Sequence, residues 1–431
     1  MCIRDRVNIA DFIAQTTAGT YDVESGNALS VTFDDATYSA ADLVAANSLT
    51  SGLITVTPVT AVNGTITPAA PAITGTTADL VSIYAANVTS GNGILTSSTA
   101  AATLTIQEPI TFGGLVDAAS LKTLDEATTG LISVDVAWNA DGLDGDDETT
   151  ITGITGSYAD VHYVFTQDSA NATHGVTTPT ITGIEAAATT VTLTGTSTVA
   201  QVNDIVNNYT SGVVTATISE GDMTTLATLT ATAGAYTINI TDTTVAAAAL
   251  NTLDGKTTTA ITLATGTTLT GALANTGAVD TALSSAGITG IGSVAVTSDD
   301  ATNTVTEAND ISSQTTGVVT ATLATGALTT FAGLNETGNA FTISVSDTGT
   351  VDAATVNVLN GKTTGVVTLA ATGVSGALSD IKTLYEANTA AEVAGLGNET
   401  VTISDTGSVS AADLNTVNGL TTGVITAIGV T

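Results

Sequence analysis

VTISDTGSVSAADLNTVNGLTTGVITA at residues 401–427 and ISVSDTGTVDAATVNVLNGKTTGVVTL at residues 343–369 align along their whole length. A third copy, VTFDDATYSAADLVAANSLTSGLITV, lies at residues 31–56. Each block opens on a β-branched, Thr-rich run suited to a pleated surface. A helix start follows. Ser410 with Asp413, and Ser39 with Asp42, have capping-box spacing, and Asp352 and Asp117 are N-cap candidates. Apolar residues three apart then predict a short helix, at Leu414 and Val417, Val356 and Leu359, Leu250 and Leu253, and Leu121 and Leu124. Gly255, Gly361 and Gly419 stand where that helix would stop. A second apolar run closes the block.

The residue before that second run recurs as Gly52, Gly130, Gly212, Thr259, Gly317, Gly365 and Gly423. Among the last five, steps of 47 or 48 alternate with steps of 58, which predicts a double period of 105 or 106 residues. Candidate strands begin near Val213, Thr237, Ala260, Val294, Val318, Phe341, Val366, Val401 and Val424. Most of these starts are spaced by roughly 25 residues, a solenoid-type interval, with one longer coil per double unit. A strand, a crossover containing a helix and a second strand favour parallel pairing with a right-handed connection. The expected fold is α/β, a repeat solenoid with parallel strands and short helices. Tandem β-sandwich-like domains of roughly 100 residues are the alternative.

The organisation that follows has four parts. Residues 1–6, MCIRDR, hold both arginines and the only cysteine, and they resemble the translation of a sequencing adapter, so they are set apart as a foreign leader. Residues 7–136 read as degenerate N-terminal repeats, and within them 57–76, with Pro58, Pro68 and Pro71, read as loop or edge. The interval from Gly130 to Gly212 is far longer than the other anchor steps, which places an irregular acidic insertion at 137–189. Residues 190–431 are the regular repeats.

The formal net charge is −34, and outside the leader the basic side chains are Lys122, Lys256, Lys362 and Lys382 alone. Such a chain repels nucleic acid and anionic lipid, both of which need Lys or Arg to neutralise phosphate. Only 11% of residues are charged and 43% are hydrophobic, so apolar burial can offset the entropy of ordering and a folded chain is expected. Without a cysteine after Cys2 there is no disulfide framework and no thiolate metal site. Apolar runs such as VAAAAL at 245–250 fall far short of the roughly 20 residues that cross a bilayer, so no membrane insertion is expected.

Four patterns could carry chemistry. NADGLDGDDE at 139–148 crowds Asp141, Asp144, Asp146, Asp147 and Glu148 around glycines, and oxygen ligands so spaced suit calcium. An Asp recurs at a fixed distance ahead of the anchor position, at Asp34, Asp299, Asp347 and Asp405, with Asp242 displaced by one. It is expected to turn the chain or cap the next helix. An Asn recurs closer to the anchor, at Asn251, Asn309, Asn357 and Asn415, with Asp204 equivalent, and a structural ladder of amides is expected. Trp138 and Tyr163 could line a sugar-binding groove. His162 and His174 have no nucleophile beside them in the sequence and no cysteine for a zinc site, so no catalytic residue is predicted and the chain is expected not to be an enzyme. Thr-x-Thr pairs such as Thr192 with Thr194, Thr215 with Thr217 and Thr320 with Thr322 do not recur in every block, which argues against an ice-binding face.

The phrases GLGNETVTISDTG, SAADLNTVNG and KTTGVV resemble the repeats of very large secreted or cell-surface proteins of marine bacteria, cyanobacteria included. That resemblance covers most of 190–431 and, more loosely, 25–135. It implies an extracellular or cell-surface location, one-step secretion through a C-terminal signal, and accompanying calcium-binding repeats. The function expected is that of a structural or adhesive repeat protein, a spacer or stalk, within a chain that extends past both ends of this sequence. A calcium-dependent module binding a glycan or another surface ligand is the competing expectation.

Overall fold

The computed structural model describes residues 8–19, 31–33, 37–50, 53–56, 59–62, 65–68, 72–75, 77–85, 87–88, 93–95, 103–107, 115–127, 132–135, 153–167, 180–182, 184, 190–232, 234–427 and 429–430. Among them the chain is mixed α/β. Its strands pair in parallel except for one hairpin, Val59–Val62 with Thr65–Pro68, and no sheet closes into a barrel. A sandwich of antiparallel sheets, the alternative above, needs the opposite pairing. Pro68 ends that hairpin in a two-stranded sheet, where its missing N–H is tolerated.

The chain divides into two compact units. The first runs to Ser219 and takes in Leu229–Tyr236, and the second comprises Glu220–Thr228 and everything from Thr237 onward. In the second unit one sheet runs through Thr244–Ala246, Thr268–Gly271, Ala295–Ser298, Val319–Thr322, Ala340–Val345, Val367–Leu369 and Val393–Ala394, in that order. Another runs through Thr350–Asp352, Gly373–Gly376, Thr400–Ile403 and Ile425–Ala427. Registers show how much chain separates neighbours. Leu269 pairs with Val296, Val296 with Val319, Thr320 with Ala340, Ile343 with Val367 and Val367 with Val393. Each step therefore takes a similar stretch of chain, on the order of 25 residues. Alternation orients each strand: Val319 and Ala321 face inward, Thr320 and Thr322 outward.

Short helices lie between the strands because apolar residues fall at helical spacing. Ala247–Asp254 buries Ala247, Leu250 and Leu253, and Ala353–Asn360 buries Ala353, Val356 and Leu359. Each Leu or Val so buried is worth about 1.5–3 kcal/mol relative to exposure. Thr244–Ala246 with the first of these helices corresponds, one double period on, to Thr350–Asp352 with the second. In the same way Val305–Ser312 followed by Val319–Thr322 corresponds to Ala411–Leu420 followed by Ile425–Ala427.

The caps follow their side chains. Asp352 accepts from Thr355 N–H at 3.0 Å, Asp117 from Ser120 at 2.9 Å, Ser39 from Asp42 at 3.4 Å and Ser410 from Asp413 at 3.2 Å. The reciprocal bond of a full capping box forms instead at Thr198 with Gln201 and Thr304 with Glu307, whose side chains are one methylene longer than Asp. Helices do stop at Gly255 and Gly361, but in right-handed conformation, with φ of −67° and −68°. Gly419 lies inside Ala411–Leu420, and that helix ends at Thr421.

In the first unit Leu115–Asp117, Gly153–Gly156, Thr190–Ser197 and Val214–Ile218 form successive parallel neighbours, and Thr37–Ser39, Ala72–Gly75, Thr103–Gln107, Ile132–Asp135 and Ile181–Thr182 form others. Residues 153–167, within the stretch expected to be irregular, are a strand followed by the helix Tyr158–Gln167. Among the described residues no helix is long and apolar enough to cross a membrane.

Candidate functional site

The five candidate calcium ligands Asp141, Asp144, Asp146, Asp147 and Glu148 lie outside the described residues, as do Trp138, His174 and Asp34. Among the described residues no cluster of His, Cys, Asp and Glu is arranged to hold a metal ion. What the second unit does display is a recurring set of polar contacts between successive strand–helix segments.

The recurring Asp points backward along the chain. Asp242 Oδ2 accepts the N–H of Met223 at 2.7 Å and Asp347 Oδ2 that of Leu328 at 2.6 Å, each 19 residues earlier. Asp405 Oδ2 accepts the N–H of Leu378 at 2.7 Å, 27 residues earlier. Met223, Leu328 and Leu378 are first residues of helices, whose N–H groups have no partner within the helix. The expectation that this Asp caps the following helix is therefore corrected: it caps an earlier one. Asp299 is exposed, and its neighbour Asp300 makes the corresponding contact, to Leu273 N–H at 3.1 Å. Asp242 and Asp300 stand one residue nearer their anchors than Asp347 and Asp405 do, which is why a fixed offset fell on Asp299 in place of Asp300.

The recurring Asn points forward. Asn251 Nδ2 donates to Ala278 O at 2.9 Å, Asn309 Nδ2 to Gly333 O at 2.8 Å and Asn357 Nδ2 to Asp380 O at 2.9 Å, each 23 to 27 residues on. Asn309 Oδ1 also accepts from Asn335 N–H at 3.0 Å. Each amide ties its own helix to the backbone of a later segment. In the first unit the tie falls on Asn203, which accepts from Thr230 N–H at 2.8 Å. Asp204 takes a different role.

A third contact surrounds the anchor glycines. Thr210, Thr315, Thr363 and Thr421, each two residues earlier, are buried, and each accepts the N–H of its glycine at 2.9–3.0 Å. Thr315 also donates to Val294 O, and Thr363 to Phe341 O while accepting Phe341 N–H. A Cβ at Gly317, Gly365 or Gly423 would overlap the carbonyl of Val294, Phe341 or Glu399 in the preceding segment. Glycine is required there by close approach. Sequence reasoning found the glycines and missed the threonines, although T-T-G at 315–317, 363–365 and 421–423 was the visible signal.

Two clusters stand apart from this pattern. In the first unit His162 lies between Tyr158 and Tyr209, its Nε2 3.1 Å from Tyr209 Oη and 3.6 Å from Asp204 Oδ2. Tyr158 donates to Asp204, and burial, reinforced by that bond, pushes its phenol up to about 12. Tyr163 donates to Asp125 at 2.6 Å and is raised for the same two reasons. These phenols hold their protons at neutral pH and serve as donors. In the second unit the buried Glu399 accepts from Tyr385 Oη at 2.6 Å and from the N–H groups of Gly397 and Asn398. No family model, curated protein or solved structure matches this chain.

Proposed function

We propose that this chain is a structural or adhesive repeat protein of the bacterial cell surface or surroundings, in which stacked strand–helix segments form a solenoid that acts as a spacer or stalk. The observation that carries this reading is the contact set of the second unit. Asp caps, Asn ties and threonine–glycine turns recur between its segments, while threonines such as Thr320 and Thr322 are left facing out. That is an arrangement for carrying load from one segment to the next. Each strand added to a sheet advances it by about 4.8 Å. A net charge of −34 with only six basic residues favours a soluble surface that does not adhere to other acidic polymers.

Pulling the intact chain by its ends in a single-molecule force experiment tests the reading. Segments held by nearest-neighbour contacts should yield serially, in contour-length steps of about 70–95 Å, the extended length of one segment. One all-or-none rupture of the whole second unit would remove the spacer reading. A chain that turned over a polysaccharide would contradict the expectation that it is not an enzyme.

A further inference from the structure

One buried carboxylate stands at a place where its counterparts are apolar. Among the described residues Glu399 is the only buried Asp, Glu, Lys, Arg or His, with 2% of its surface exposed. It directly precedes the strand Thr400–Ile403, and its carbonyl lies against Gly423 as the carbonyls of Val294 and Phe341 lie against Gly317 and Gly365. Val294 and Phe341 are buried too. A charge without donors is strongly unfavourable inside a protein. Glu399 has three: Tyr385 Oη at 2.6 Å, the N–H of Asn398 at 3.1 Å, and the N–H of Gly397. Tyr385 reaches it from the buried face of helix Leu378–Thr389, and Thr421 bonds the same phenol. In the matching place one double period earlier, helix Ala278–Ser284 buries Val279, Ala282 and Leu283, all apolar.

The strand beside this pair has a pattern that does not fix its own register. Val401 and Ile403 face inward and Thr400 and Thr402 outward, and the strand it pairs with is Gly373–Gly376, GVSG. A slip of two residues keeps every side chain on its own face, so alternation alone does not forbid it. Sliding one way would carry Asp405 into the place of Ile403. Sliding the other way would carry Glu399 into that of Val401, away from the phenol. We infer that Glu399 and Tyr385 pin the register of Thr400–Ile403, a polar pair that selects one arrangement of the sheet over its near neighbour. Removing one partner of such a pair leaves a buried charge unmatched, whereas replacing both by apolar groups of similar volume need not lower stability. Asn398 is exposed and Gly397 half-buried, so water can reach the N–H groups that the carboxylate would release. Thr421 can then turn to the carbonyl of residue 399, as Thr315 does to that of Val294.

The test is cysteine cross-linking in the full chain carrying Cys2→Ser. Thr402 pairs with Ser375, so Ser375→Cys with Thr402→Cys reports the native register, and Ser375→Cys with Thr400→Cys reports the slip. Positions offset by two residues on neighbouring strands lie beyond disulfide reach. With Glu399 and Tyr385 in place, the first pair alone should close on oxidation. With Tyr385→Phe and Glu399→Leu together, the chain should melt within about 3 °C of the parent, and the second pair should close in roughly a tenth of the molecules or more. Tyr385→Phe alone should melt lower than the double variant. Closure of the first pair alone in the double variant overturns the inference. So does a double variant that melts far lower or does not fold, because the pair would then supply stability and not choice. A midpoint for Tyr385→Phe no lower than that of the double variant overturns it as well.

Discussion

The two units are built from the same kind of parallel step and differ in how evenly it is taken. In the second unit the chain between partners in register stays close to one length throughout, from the shortest step, Thr320 to Ala340, to the longest, such as Ile261 to Ile288. In the first, Val31 pairs with Ile54, but Leu53 with Gly93, Gly153 with Thr190 and Ile132 with Ile181, so the last of these steps is more than twice the first. Longer connections are thermodynamically inexpensive, since closing a loop twice as long adds only about 0.6 kcal/mol. Parallel pairing therefore survives irregular steps. What evenness adds is repetition: caps, ties and glycine turns recur through the second unit, whereas in the first a tie at Asn203 and a turn at Thr210 and Gly212 stand beside a particular cluster of Tyr158, His162, Asp204 and Tyr209.

The strongest way to break the contrast is a side chain at an anchor glycine. Gly365→Val should destabilise the second unit by about 3 kcal/mol or more, because its Cβ overlaps Phe341 O and neither backbone can retreat. Gly195→Ala in the first unit meets no atom within 4 Å and pays only for its φ of 75°, about 1 kcal/mol. Chemical denaturation of both variants, followed by exchange in each unit, compares the two directly.

Thr363→Val should cost about 2 kcal/mol, since it strands the N–H groups of Phe341 and Gly365 in a buried turn. Thr364→Val, one residue along and exposed, should change stability by less than about 0.5 kcal/mol. Equal effects in thermal melts would show that the turn does not depend on the hydroxyl.

High pH should act mainly on the first unit. Burial pushes the Tyr236 phenol up to about 12, and Tyr158, Tyr163 and Tyr209 are raised beside it, against Tyr385 alone in the second unit. A raised folded-state value means that the neutral phenol is favoured in the fold. The stabilisation is complete below pH 10 and declines as pH rises from about 10 to about 12. Tyr236→Phe should shift the alkaline midpoint of the first unit upward, read by exchange or near-ultraviolet dichroism. Asp347→Ala should cost about 1 kcal/mol, with faster exchange at Leu328 N–H and no change at Met223.

Much of the second unit was legible because its strongest strands announce themselves. The starts predicted at Val318, Phe341, Val366 and Val424 fall within a residue of Val319, Ala340, Val367 and Ile425. Thr268–Gly271 and Gly373–Gly376 escaped notice, since short runs with glycine and serine carry little strand propensity and are defined by their partners. Their omission explains the apparent long coil. Ile261–Leu263 and Ala295–Ser298 belong to different sheets, and the true steps, Ile261 to Ile288 and Thr268 to Ala295, are of ordinary length. Of the polar positions, recurrence located Asp and Asn within one residue but gave no direction, because a carboxylate can reach an earlier or a later part of the chain and only packing decides. The buried threonines were hidden by the abundance of exposed ones.

The Asp cap reaches 19 or 27 residues back and the Asn tie 23 to 27 residues forward, so the two halves of each fastening sit in different segments. Losing a single segment would bring together halves of unlike spacing. Gain or loss of a whole double-period block would copy or remove both halves at once and leave every junction familiar.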